Sequence, residues 1–138
     1  MPNLVDMISQ LQPAADELRL LDDEVTASIK IVEEALRSLR VGIPFSCTVV
    51  GLGELSFRKL GRLWQLLWRS DVDDEWHQLV QAPRATRAAA LTCVPHLIEN
   101  AKTVLCEALV SRREIIANAK IVIDAMHHQL NSGKGSRE

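Results

Sequence analysis

No apolar run in this chain approaches the ~20 residues that a bilayer-spanning helix needs. Its opening, MPNLVDMISQ, lacks the basic stretch and apolar core of a secretory leader. Both absences predict a cytoplasmic protein without a membrane partner. Net positive charge is also missing: 16 Lys and Arg stand against 18 Asp and Glu, a formal balance of -2. That excludes a phosphate-backbone binder whose affinity comes from overall charge, although a local basic patch stays open. Cysteines number three, Cys47, Cys93 and Cys106, spread among apolar neighbours. An odd, scattered set excludes a disulfide framework and predicts buried free thiols.

Signatures of chemistry are absent too. The GLG of Gly51 and Gly53 follows a predicted strand, but Ser56 stands where a dinucleotide fingerprint has its third Gly, and no helix opens there. The C-terminal GKGS lacks the spacing, strand and helix of a phosphate loop. Cys93 and His96 share a helical face with Cys106 further along, yet the paired short spacings of a structural zinc site are missing. The carboxylates at 22–24, 33–34 and 73–75 read as solvated faces, and His127 and His128 as caps suited to a helix C-terminus. No enzyme, cofactor or metal is expected.

What is present is 47% hydrophobic residues in 138, enough for one domain that buries a core without disulfides or metals. From Asn3 to Arg40 there is no Gly, and Pro13 is the one Pro. Leu4, Leu11, Leu18, Val25, Val32 and Leu39 recur every seven residues, with Ile8, Ala15, Ile29 and Leu36 in a second row that Asp22 interrupts. This predicts a helix over 3–40 with a coiled-coil-like seam, capped by Asn3, stopped by Gly42 and kinked or jointed at Pro13. A second long helix is predicted over 84–131. Its rows are Leu91, Ile98, Leu105, Ala119 and Met126 beside Val94, Ala101, Ala108, Ile115 and Val122, with Arg112 the charged interruption and Pro95 a bend or start. Residues 132–138 read as a disordered tail.

If the two helices lie antiparallel, setting Asp22 opposite Arg112 also sets Leu4 against Leu130, Ile8 against Met126 and Ile29 against Leu105. A matched pair in a seam costs less than a lone charge and can fix register. The alternative is that each charge lies in water at the seam's edge.

Between the helices, GRLWQLLWRS (residues 61–70) fits a helical stripe or a strand. A helix over 55–69 would carry Gly61 at its centre, at ~1 kcal/mol relative to Ala, and Trp and Phe suit a pleated surface. The strand reading predicts a three-stranded antiparallel meander over 44–69, followed by a loop over 70–83. Phe45, Cys47, Val49, Leu55, Phe57, Trp64, Leu66 and Trp68 would face the helices. Val50, Leu60, Leu63 and Leu67 would face the other way and bind a partner, unless the acidic 71–75 loop with Trp76 covers them. The run LSFRKLGRLWQLLW, followed by QLVQAPRATRAAALTCVPHLIENA, resembles a pattern in small bacterial proteins to which no activity is attached. That resemblance implies a strand, a Lys-containing Gly turn, a Trp-containing strand and an Arg-marked helix start.

The predicted class is therefore α+β, with a small meander inserted between two long antiparallel helices. Ile31, Leu21, Ala35, Leu97, Val104, Val110, Ile116, Ile121 and Ile123 lie partly off the rows, a surplus that predicts a homodimer or another protein partner. The expected function is a non-enzymatic interaction module, an adaptor or inhibitor. The alternative is nucleic-acid binding by Arg58, Lys59, Arg62, Arg69, Arg84 and Arg87, unless acids such as those at 71–75 hold these cations internally.

Overall fold

In FSCTV, GELSFRKL and LWQLLWR large apolar residues recur at alternate positions, and each run ends at a Gly or a short polar segment. The computed structural model describes residues 3–135, and these runs are β1 (Phe45–Val49), β2 (Gly53–Leu60) and β3 (Leu63–Arg69). The opening stretch GRLWQLLWRS is thus turn and strand. All pairs are antiparallel, with Phe57 opposite both Phe45 and Leu66. The meander gains a fourth strand, β4 (His77–Gln78), which pairs with Leu67 and Trp68. The loop expected over 70–83 therefore holds β4 and a 3-10 turn at Leu79–Gln81, and covers part of the β3 edge.

The class is α+β, and each long helical pattern is divided. The first gives α1 (Leu4–Ser9), capped by Asn3 on the Val5 N–H, and α2 (Gln12–Ser38). Pro13 lies in the first turn of α2, where its missing N–H costs nothing, so the helix restarts there. The stop differs from expectation. Arg40 takes the left-handed conformation (φ 52°) just past the helix end, and Gly42 takes a second one (φ 72°). The second pattern gives α3 (Arg84–Thr92) and α4 (Val94–Gly135), separated at Cys93, with Pro95 in the first turn of α4. Helix α4 thus continues past the expected end at Asn131. The rest of the expected tail, 136–138, lies outside the described residues.

The chain divides after Ala101 into two compact units. In the first, one face of the sheet carries Phe45, Cys47, Val49, Leu55, Phe57 and Leu66, all buried, and Ile29, Leu36, Leu79, Ala90 and Leu97 are buried with them. Helix α2 packs on β3, α3 and the 3-10 turn. Beyond β4 the free edge of β3 is closed by side chains of α2. The Leu66 N–H donates to Glu33 Oε2 (2.9 Å), and Arg37 Nε donates to the Trp64 carbonyl (3.1 Å). Glu33 and Arg37 are themselves paired at 3.1 Å. Two backbone groups that an uncapped edge would leave without partners are satisfied by one turn of helix. Asn100 does the same for β1, donating to the Ser46 carbonyl (2.8 Å).

Gly53 has a specific reason to be Gly. A Cβ there would lie 2.0 Å from the Arg69 carbonyl oxygen, so β2 and β3 could not approach at this point. The GLG is a turn, as expected.

The second unit is the remainder of α4, in which every residue from Leu109 to Ser132 is exposed. The rows assigned to a helix–helix seam are buried where α2 meets the rest of the first unit, at Ile29 and Leu36. Leu4, Ile8, Leu11 and Leu18, and likewise Ile115, Val122, Met126 and Leu130, are exposed. Asp22 has an ion partner within its own unit, Arg84 at 3.7 Å, and Arg112 is an exposed residue of the second unit.

Candidate functional site

The second sheet face follows from alternation: Ser56 and Arg58 on β2 share it with Leu67 and Arg69 on β3. Trp76, just before β4, brings its ring 4.3 Å from the Arg58 guanidinium and 4.5 Å from that of Arg69. Between those two arginines lie Ser56 and Leu67, both 0% exposed. The indole with its two guanidiniums thus closes this face from within the chain. Ser56 Oγ accepts from Arg58 Nε and donates to the Phe45 carbonyl, so the buried hydroxyl is satisfied.

Of the expected partner residues, Leu67 is buried and Val50, Leu60 and Leu63 are exposed. Leu67 is sealed under that cover and is unavailable to a partner. Leu60 and Leu63 are exposed at the β2–β3 tip, whereas Val50, 94% exposed, sits in the β1–β2 turn. The eight residues of β2 separate the two places by roughly 25 Å at ~3.4 Å per residue. The four residues do not form one patch.

The basic cluster disperses in the same way. Arg69 pairs with Glu54 (2.6 Å), Arg84 with Asp22, and Arg87 donates to Thr26 Oγ1. Arg58 is held by Ser56 and Trp76. The internal acids are Glu54 and Asp22 rather than those of the 71–75 loop, and the residue just after that loop, Trp76, supplies the ring. Lys59 and Arg62, beside the hairpin tip, have no such partner among the described residues and are exposed.

The acidic loop is ordered by its own contacts. Asp73 accepts from the Glu75 N–H (3.0 Å) and pairs with His77 Nε2 (2.7 Å). These bonds, the His77 one first, hold the Asp73 carboxyl below its usual range. Asp73, Glu75 and His77 place three donor atoms within 4.8 Å of one another, the one such cluster among the described residues. It lies at the surface, and two of its members, Asp73 and His77, already engage each other. Cys93, His96 and Cys106 form none. The thiols also differ from expectation: Cys47 is buried, Cys93 half-buried and Cys106 exposed. Burial, with Cys93 and Glu54 nearby, pushes the Cys47 thiol up to about 11.

The largest unsatisfied feature is apolar. On α4, Leu109, Ile116, Ile123 and Leu130 form a row at seven-residue spacing, flanked by Met126 and then by Ile115 and Val122, all exposed. At ~100° per residue these rows cover about 140° of the helix, the width of a face that packs against two neighbours rather than one. Full burial of such a side chain removes roughly 60–120 Å² of apolar surface. Seven half-exposed ones leave on the order of 200–400 Å², comparable to the largest apolar patch of an ordinary monomer. In the first unit, Leu4, Ile8, Leu11 and Leu18 form a similar face, with Met7 and Leu21 beside it. The sequence rows located most of these residues. Of the Leu109 to Leu130 row, Ile116 and Ile123 were read as surplus and Leu130 as the seam partner of Leu4, because two rows suffice for a two-helix seam.

No helix among the described residues is long and apolar enough to cross a membrane. In comparison with known proteins, no family model, curated protein or solved structure matches this chain, so its function is argued from these surfaces.

Proposed function

We propose that this chain is a non-enzymatic protein–protein interaction module, a cytoplasmic adaptor or inhibitor, that assembles as a homodimer through its helix faces. The observation that supports this reading is the pair of exposed apolar faces, on α1 with the first half of α2 and on α4 beyond Lys102. Each continues a row whose other end is buried in the core: Ile29 and Leu36 extend the first, Leu97 and Ala101 the second. Two such helices from each of two copies make a four-helix bundle, which covers faces of this width with water-excluding contacts on both sides. Antiparallel seams in that bundle, with Asp22 meeting Arg112, are part of the same reading.

The nucleic-acid alternative has less support. Four of its six cations are engaged internally, which leaves Lys59 and Arg62 for phosphates. Two phosphate contacts give a shallow salt dependence and weak binding.

Co-expression of two differently tagged copies tests the proposal. Capture on one tag brings down the other in the native chain and fails when Ile116→Glu and Ile123→Glu are present in both copies. Equal recovery from native and variant chains would refute assembly through this face.

A further inference from the structure

A groove lies where α2 ends beside β2 and β3, lined by Leu36, Arg37, Arg40, Gly42, Phe57 and Trp64. Its volume is about 430 Å³, within the range of small-molecule sites. We propose that this groove binds a small carboxylate carrying a flat aromatic body.

The wall supplies the preference for a flat apolar body. The Phe57 and Trp64 rings stand 5.7 Å apart at 33°, an aromatic surface on which a third ring can stack. Leu36, buried, adds an aliphatic base.

The charge of the groove comes down to one residue. Arg37 is held by Glu33 and by the Trp64 carbonyl, so its charge is matched and its geometry fixed. The Arg40 side chain has no partner among the described residues and is exposed. The carbonyl end of α2 places about half a negative charge nearby, less than the full positive charge of one guanidinium. The balance favours an anion, and a guanidinium takes a carboxylate through two parallel hydrogen bonds.

The backbone gives a second, independent indication. Arg40 holds φ 52°, a conformation that costs a non-glycine residue on the order of 1 kcal/mol and that helices ordinarily give to Gly at this position. A Gly at 40 would relax the turn and empty the groove of its free cation. Strain of this kind, kept by a residue whose side chain is otherwise idle, is the pattern of a binding position.

Titration of the full chain with 1-naphthoate by calorimetry tests this, with the neutral 1-naphthalenemethanol as control. The expected result is one saturable site per chain, with the alcohol bound about tenfold or more weakly, as loss of a charge-assisted bond implies. Arg40→Gln lowers naphthoate affinity by a similar factor, and Arg40→Lys retains part of it. Arg40→Gly lowers naphthoate affinity at least as far as Arg40→Gln while the thermal midpoint does not fall, which separates loss of the site from loss of the fold. The Trp64 indole resonance, assigned through Trp64→Phe, shifts on titration. Absence of saturable binding would overturn the proposal. So would equal affinity for the alcohol, or unchanged affinity in Arg40→Gln.

Discussion

Two stretches of one apolar helical face behave oppositely in this molecule. Ile29 and Leu36 of α2 are buried, while Leu18, on the same face and eleven residues before Ile29, is 58% exposed, and Leu4 in α1 is 73% exposed. The apolar spacing does not change between them. What changes is the neighbour: the C-terminal half of α2 has the sheet, α3 and the 3-10 turn, Asp22 still reaches Arg84 of α3, and residues 12–21 before it are all exposed. Periodicity reports that a face is apolar, not what covers it, and the uncovered half of the face is where function is to be sought.

The largest effect that sharpens this contrast is in the core. Ile29→Ala or Leu66→Ala should cost about 2–5 kcal/mol in chemical denaturation, whatever the protein concentration. Leu18→Ala or Ile116→Ala should cost nothing comparable in dilute chain, and their effect should grow with concentration as association does. Equal, concentration-independent losses at both pairs would remove the distinction.

Next in size is the cover of the second sheet face. Trp76→Ala strips the ring from Arg58 and Arg69 and opens Leu67 to water, at about 1–3 kcal/mol, the lower range of aromatic truncation because the ring is only half-buried. An exposed-surface dye should bind the variant more strongly than the native chain. Unaltered stability and dye binding would show that Leu67 owes its burial to something else.

Smaller again is the charge at Asp22. Asp22→Arg removes an exposed-side ion pair with Arg84, worth up to about 1 kcal/mol. Under the proposed bundle it also weakens association, and Arg112→Asp restores it. Rescue by Arg84→Asp and not by Arg112→Asp would assign the charge to the internal pair alone.

The smallest effect is in the thiols. Cys106 should alkylate first and Cys47 last, by mass spectrometry of the native chain. The fold favours the protonated form of Cys47, whose ordinary value of 9.0 is raised to about 11. Its contribution is therefore present below pH 9 and lost as pH climbs towards 11, a decline that Cys47→Ala should remove.

How much of this was legible in the sequence varies with the kind of interaction. Strand alternation around Gly61 placed β1, β2 and β3 and the inward set from Phe45 to Leu66, because burial on one face of a sheet imposes a period of two. Pro13 marked the joint between α1 and α2, since a missing N–H is local chemistry. The stop at Arg40 was hidden because nothing in an arginine favours a left-handed turn, and Gly42 offered a better local explanation. The cover over Leu67 was foreseen as the alternative to a partner but could not be chosen. It depends on Trp76 meeting Arg58 and Arg69, residues that are adjacent only after β2, β3 and β4 have paired. That Val50, Leu60, Leu63 and Leu67 lie apart has a simpler reason. Sharing a sheet face says nothing about distance along the strand.

The account rests on the exposed faces of α1, α2 and α4 being covered by a second copy. Sedimentation equilibrium of the native chain, beside Ile116→Glu with Ile123→Glu, measures this most directly. The native particle is expected at twice 15.4 kDa, dissociating to 15.4 kDa in the variant with its helical circular dichroism largely retained. A native mass of 15.4 kDa at every concentration, with those faces open to water, would contradict it.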